Sequence, residues 1–312
     1  MKIVCTEPLG IGEPLFENLK SHYMQLGHLF QYYPDRNEDS AEMARRIGDA
    51  EVAVVSNIKL PREVLEKCPN LRYLSIAFTG LDHIDLDYCR ERGIDVQNAA
   101  GYSTTAVSEL AVAMMIDVMR QITATDGTIR QGKGRGAMLG RELRGKTVGV
   151  IGTGAIGTAV IRLLLAFGCH VVAYNRSVHD EVLSLDVEYL PLEKLLEMSD
   201  VVTLHVPATA ETKGMIGSEQ LKRMKPTAIL VNTARGPVCD IVAVAEALNS
   251  GKIAGAAFDV YEKEPPLESS HPLLSAKNCL CTPHIAFATE ESFAERATIV
   301  FNHVDEWLAR AR

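Results

Sequence analysis

The sequence predicts an α/β protein of two domains, each a doubly wound parallel sheet, and three observations carry that expectation. Residues 148–160, VGVIGTGAIGTAV, join a short apolar run, a GxGxxG turn and a helix-like pattern. Strand-length apolar runs alternate with helical patterns over roughly the first hundred residues. The same alternation resumes at residue 147 with enough strands for a complete dinucleotide-binding sheet. At 312 residues the chain is long enough for two domains that each bury a core.

Taken in order, residues 2–5 are the first strand. Leu15, Phe16, Leu19, Tyr23 and Leu26 recur at helical spacing, and Gly27 ends the pattern. A helix near 41–47 leads into a strand at 51–56. Pro61 opens a short helix to 67, a strand follows at 71–77, a helix at 86–92 stops at Gly93, and 94–96 is a strand. Residues 104–119 form a longer helix capped by Ser103 or Thr104. It is apolar nearly all round, which predicts burial between domains or subunits. Residues 125–144 are polar and rich in glycine, and read as a loop or arm with a short helix. Strands then fall at 147–151, 170–174, 201–205, 228–232, 255–259 and 280–282. A helix at 241–249 has Asp240 as its N-cap and Gly251 as its stop. The last helix, 290–309, lies beyond the final strand and predicts a return to the first domain, which makes that domain discontinuous.

Composition excludes several classes. A hydrophobic content of 47% and a charged content of 23% are those of a globular chain. The net charge of −8 argues against nucleic acid or an anionic membrane as partner. No apolar stretch reaches transmembrane length, and the run within MKIVCTEPLG is too short for a signal peptide. The seven cysteines include no CxxC pair, and Cys279 and Cys281 alone stand close, on one face of a strand. They read as reduced core thiols, with no metal site and no disulfide. The expectation is a cytoplasmic protein.

The chemistry begins at the glycine-rich turn. Gly152 permits a tight turn, Gly154 lets backbone N–H groups approach a pyrophosphate, and Gly157 lets the helix pack against the strand. The helix N-terminus adds partial positive charge. Because Gly168 stops that helix and HVVAY follows as a strand, dinucleotide binding is favoured over a purely structural turn. Ligands of such sheets sit beyond the carboxyl ends of the strands, and three of these ends are polar. Asn232 is followed by Thr233-Ala234-Arg235-Gly236, Asp259 by Val260-Tyr261-Glu262-Lys263-Glu264, and Thr282 by Pro283-His284-Ile285-Ala286. An arginine grips a carboxylate with a paired fork. A histidine exchanges a proton with a substrate oxygen, and a nearby carboxylate orients it. Spacing alone leaves Glu262 and Glu264 as equal candidates. His205, also at a strand end, is a rival proton carrier, and Asp259 could be a buried cap.

The stretches VGVIGTGAIG, LHVPATAETKGMI, ILVNTARGPVCD, AAFDVYEKEPP and LCTPHIA together resemble the D-isomer-specific 2-hydroxyacid dehydrogenase family. AFTGLDHIDL and AAGYSTTAVSEL extend the likeness into the first domain. The resemblance implies that Arg235 binds the substrate carboxylate and carbonyl, that His284 is the acid/base, and that Glu264 is its paired carboxylate. It implies that Phe78, Thr79 and Gly80 hold the substrate carboxylate through backbone N–H groups. Around the cofactor it places Thr104, Ala155, Ile156, His205, Val206, Pro207, Thr212, Thr233, Ala234, Arg235, His284 and Ala286, with Asp259 on the nicotinamide amide. The implied architecture is a Rossmann cofactor domain, 99–286, inserted in a flavodoxin-like substrate domain, 1–98 with 287–312. Homodimers through the cofactor domains are the family's usual state.

One departure concerns the cofactor. Relatives that use NAD commonly end the second cofactor strand in an aspartate for the ribose 2′-OH. Here the end reads Tyr174-Asn175-Arg176-Ser177. Asn175 removes a repulsion, and Arg176 and Ser177 suit a 2′-phosphate, so between NAD and NADP the expectation leans to NADP. The expected reaction is hydride transfer between that cofactor and a small 2-oxo or 2-hydroxy acid. A cofactor-sensing, corepressor-like binding protein of the same fold is the alternative. A formate dehydrogenase relative is disfavoured, because those proteins place glutamine where Glu264 stands.

Overall fold

The computed structural model describes residues 1–311, which divide into two compact units. The first is Met1–Ser103 together with the chain from Ala288 onward, and the second is Thr104–Phe287. The first junction lies a few residues beyond the expected one because Tyr102 belongs to the first unit, its ring 5.5 Å from the Arg296 guanidinium.

The first unit runs β1 (Lys2–Cys5), α1 (Glu13–Gln25), β2 (Leu29–Tyr32), α2 (Ser40–Ile47), β3 (Val52–Val55), α3 (Arg62–Leu65), β4 (Tyr73–Ile76), α4 (Leu86–Arg92) and β5 (Asp95–Asn98). The sheet order is β2-β1-β3-β4-β5 with every pairing parallel, the flavodoxin-like order. β2 was absent from the sequence expectation. Its residues alternate between exposed and half-buried at the sheet edge, so LFQY lacks the apolar run that marked its neighbours. β3 and β4 are buried throughout, as central parallel strands are.

The second unit runs α5 (Thr104–Arg120), α6 (Ile122–Arg130), β6 (Thr147–Ile151), α7 (Ala155–Ala166), β7 (His170–Tyr174), α8 (Asp180–Leu183), β8 (Glu188–Tyr189) and α9 (Leu192–Met198). It continues with β9 (Val201–Leu204), α10 (Ser218–Arg223), β10 (Ile229–Asn232), α11 (Ile241–Asn249), β11 (Gly255–Phe258) and β12 (Cys279–Cys281). The parallel sheet has the order β12-β11-β10-β9-β6-β7-β8, so the direction of winding reverses between β6 and β9. The two-residue edge strand β8 also escaped the sequence, being too short to show a period. Part of the apolar surface of α5 is covered within its own unit. Ala111, Val112, Met114, Met115, Val118 and Met119 are buried in one core with Val160, Ile161 and Leu164 of α7.

α12 (Glu290–Arg310) returns to the first unit. Trp307 stacks on Tyr73 at 5.2 Å and its indole N–H donates to Asp95 at 2.8 Å. The Ser75 hydroxyl donates to the carbonyl of Val300 at 3.0 Å. These contacts tie residues more than two hundred positions apart, which local sequence does not record. Among the described residues, no helix is long and apolar enough to cross a membrane.

Candidate active site

The glycine-rich turn leaves β6 and enters α7. Gly152 has φ +95°, and a Cβ there would lie 2.4 Å from the carbonyl oxygen of His205. A Cβ on Gly157 would lie 1.9 Å from the carbonyl oxygen of Gly152, so only glycine lets the helix approach this closely. Gly154 is exposed, faces open space and caps α7 with no side-chain hydrogen bond to the helix N-terminus. Ala155 and Ile156 form the first residues of that helix, with Ala155 exposed.

Two buried polar atoms near these strand ends have no hydrogen-bond partner among the described residues: Nδ1 of His205 and the hydroxyl of Thr233. A buried polar group without a partner costs about 1–3 kcal/mol, so both atoms fit a ligand that contributes donors and acceptors. An open glycine cradle and these orphaned atoms suit a dinucleotide. Val206 and Pro207 continue from His205, and the Thr212 hydroxyl closes their loop by donating to the carbonyl of Pro207 at 2.5 Å. Thr104 opens α5 in the same unit.

Burial pushes the imidazole of His205 down to about 3, so it stays neutral at ordinary pH. An unfolded histidine titrates near 6.5, so below that pH the unfolded chain binds a proton that the folded one refuses. Stability therefore falls as pH drops from about 6.5 towards 3, by up to about 1.4 kcal/mol per unit. Denaturant melts at neutral and mildly acid pH should show a smaller acid loss in His205→Gln than in wild type. An equal loss in both proteins contradicts this.

The three polar strand ends are laced together. Asn232, fully buried, accepts from the N–H of Ala234 and donates to the carbonyl of Arg235, each at 3.0 Å, which shapes the arginine loop. Gly236 fits this loop against the next, since a Cβ there would lie 1.9 Å from the carbonyl carbon of Tyr261. The Tyr261 hydroxyl reaches the carbonyls of Phe258 at 3.1 Å and Thr282 at 3.0 Å, bridging the ends of β11 and β12. Sequence reasoning missed Asn232, Gly236 and Tyr261. Their signals were present as a polar residue ending a buried strand, a glycine beside a charge and an aromatic in a polar loop.

Asp259 organises the histidine loop. It is fully buried, and its carboxylate accepts from the Thr282 hydroxyl at 2.6 Å and the N–H groups of Ile285 and Ala286 at 2.9 and 2.8 Å. Burial pushes its carboxyl up, and those three donors oppose the rise. The buried-cap reading of Asp259 thus has direct contacts behind it. The same grip holds His284 at φ +56°, a left-handed conformation that costs a non-glycine residue about 1–3 kcal/mol. Such strain concentrates at functional sites.

His284 and Glu264 meet. Nδ1 of His284 lies 2.5 Å from Oε2 of Glu264, while Glu262 pairs with His271 at 3.3 Å. The choice that spacing left open is made by the fold. Phe287 sets its ring edge-on to the imidazole, 5.3 Å between centroids. Arg235 is half-buried, with its Nη1 donating to the carbonyl of Ala234 at 2.7 Å. Asn175 directly follows β7 and donates to the carbonyl of Ser177 at 2.8 Å, with Arg176 and Ser177 exposed beside it. Phe78, Thr79 and Gly80 follow β4 in the first unit. The Phe78 ring is buried edge-on to His83 at 6.2 Å, which leaves Thr79 and Gly80 as the accessible part of that loop.

A family model described as D-isomer specific 2-hydroxyacid dehydrogenase, NAD binding domain, matches residues 112–286. The chain belongs to that family. It is a nicotinamide-dependent oxidoreductase of 2-hydroxy acids. Among its relatives, a hydroxypyruvate reductase of Blautia hydrogenotrophica is 35% identical over 91% of this chain and 90% of its own length. A D-3-phosphoglycerate dehydrogenase of Archaeoglobus fulgidus is 42% identical over 94% of this chain, which spans 54% of that relative. The structure of a D-lactate dehydrogenase from Aquifex aeolicus, complexed with NAD and lactic acid, superposes with a TM-score of 0.84. It is 30% identical and covers 99% of this chain and 96% of its own. These family members are enzymes, and nothing in the likeness supports the cofactor-sensing alternative.

Proposed function

We propose that the chain reduces a small 2-oxoacid to the D-2-hydroxy acid, with His284 as proton donor, Glu264 as its partner and Arg235 as substrate anchor. The reading rests on one observation above the others, the 2.5 Å contact between His284 and Glu264 on a strained loop. The chemistry that a bound nicotinamide supplies is hydride exchange. His284 gives the substrate oxygen its proton through Nε2 while Glu264 holds Nδ1 and so orients the ring. Arg235 polarises the carbonyl and grips the carboxylate. Hydroxypyruvate, glyoxylate and pyruvate are the substrates to test, hydroxypyruvate first given the reductase likeness.

The cofactor is NADP(H). Arg176 and Ser177, exposed just after β7, would hold its 2′-phosphate, and no carboxylate directly follows β7 to repel it. Asn175→Asp places a negative charge there. It should lower kcat/KM for NADPH on the order of tenfold, about 1.4 kcal/mol, while sparing NADH. Turnover of 2-oxoacids measured with both cofactors, in wild type and in this variant, tests reaction and preference together. A wild type that prefers NADH overturns the cofactor choice, and one that turns over no 2-oxoacid overturns the function.

The same reading has the chain working in the cytoplasm as a homodimer through its second unit. All seven cysteines are unbridged, as a reducing compartment keeps them. α6 buries none of its residues, Ile122 and Ile129 are exposed, and Leu139 beyond it is 82% exposed. Sedimentation velocity should give a dimer that Ile129→Asp weakens, and a wild-type monomer contradicts the assignment.

A further inference from the structure

The seven cysteines fall into two groups. Cys5, Cys68, Cys89, Cys169 and Cys239 are buried, whereas Cys279 and Cys281 are only partly so. Burial pushes the thiols of Cys68, Cys89 and Cys169 up to about 11, where they are inert. Cys279 and Cys281 stand two apart on β12, so their side chains share one face, and their sulfurs lie 3.8 Å apart. Leu280 between them faces the core on the other side of the sheet. No third metal-ligating side chain joins the pair among the described residues.

The strand that carries the pair is placed to matter. β12 lies at the edge of the sheet and pairs only with β11. Directly after Cys281 comes Thr282, whose N–H donates to the carbonyl of Phe258 and whose hydroxyl donates to Asp259. His284 in turn donates its N–H to the carbonyl of Thr282 at 3.0 Å. An extended strand holds alternate Cα atoms about 6.4–6.8 Å apart, while a disulfide prefers about 5.5–6 Å. Closing the bridge at the preferred spacing would draw β12 in at this point, and its unpaired edge permits this.

We propose that Cys279 and Cys281 form a dithiol site that reacts with hydroperoxides, closes to a disulfide within β12 and so displaces the loop that holds His284. The Cys281 thiolate attacks a peroxide oxygen, and the O–O bond breaks. The departing oxygen takes up a proton as water or an alcohol, leaving Cys281 as a sulfenic acid. Cys279 then attacks the Cys281 sulfur, the S–O bond breaks, and water leaves with the Cys279 proton. Two electrons pass from the thiols to the peroxide, and the protein loses two hydrogens. Cys281 is the attacking group because the Cys279 thiol, 3.8 Å from its sulfur, holds the Cys281 thiol below its ordinary range.

The loss of turnover rests on the reading of His284 as the acid, whereas the disulfide does not. The full chain is treated with hydrogen peroxide, quenched, and followed by unreduced peptide mass and by turnover of a 2-oxoacid. Wild type should lose two hydrogens in the peptide holding both cysteines and lose most of its turnover, and dithiothreitol should restore both. Cys279→Ser should stop at a sulfenic acid on Cys281 that dimedone traps. Cys281→Ser should keep its turnover through the treatment. Bridging without loss of turnover overturns the coupling to His284, and inactivation of Cys281→Ser as fast as wild type overturns the site. A protein that turns over no 2-oxoacid before treatment refutes the proposed function, and the mass result still decides the dithiol.

Discussion

Replacing His284 with alanine should lower kcat by on the order of 10²–10⁴, the usual contribution of a positioned acid, with cofactor affinity unchanged. His284→Asn separates chemistry from backbone. His284 sits at φ +56°, a region asparagine tolerates better than alanine. Asparagine therefore keeps the turn and removes the transferable proton. If the ring supplies the proton, both variants lose the same turnover while thermal stability is kept better in His284→Asn. Steady-state rates and cofactor titrations of the two check this, and turnover near wild type in either one refutes the role of His284. Glu264→Gln should lower kcat with little change in KM, because it loosens the 2.5 Å contact and touches no substrate group.

Arg235→Ala carries the second large effect. A guanidinium that grips a carboxylate and polarises the carbonyl makes charge-assisted hydrogen bonds worth about 1.5–3 kcal/mol each. Losing two of them should lower kcat/KM by on the order of 10²–10⁴, with KM for the oxoacid raised. Arg235→Lys should recover only part of the loss, since an ammonium lacks the planar fork. The loop itself should survive, because Asn232 holds it through the Ala234 N–H and the Arg235 carbonyl rather than through the guanidinium. An unaltered KM and rate in Arg235→Ala contradicts the anchor role, and a large fall in melting temperature assigns the residue a structural one instead.

Much of this architecture could be read in the residues. The glycine turn was legible because each glycine answers a local demand: a positive φ at Gly152, an open approach at Gly154, and helix against strand at Gly157. The polar strand ends were legible because central parallel strands read as apolar runs and stop abruptly. What escaped depends on distant neighbours. β2 and β8 are defined by pairing to a single partner strand at a sheet edge, and their own residues show no period. α5 shows apolar residues nearly all round, and only the fold reveals which of them pack against α7. Glu262 and Glu264 are two residues apart in one loop, and the partners that distinguish them, His271 and His284, come from other segments. Asn232 and Gly236 build the loop around Arg235 through contacts to Ala234, Arg235 and Tyr261 that spacing in the sequence does not record.

The central claim is that this chain delivers hydride and proton to a 2-oxoacid so as to make the D isomer. The most direct measurement is oxidation of NADPH and NADH by the purified protein against hydroxypyruvate, glyoxylate and pyruvate, with the hydroxypyruvate and pyruvate products resolved by chiral chromatography. The account predicts turnover with NADPH favoured and the D-2-hydroxy acid as product. An L product, a racemic mixture, or bound cofactor without turnover of any of the three acids contradicts it.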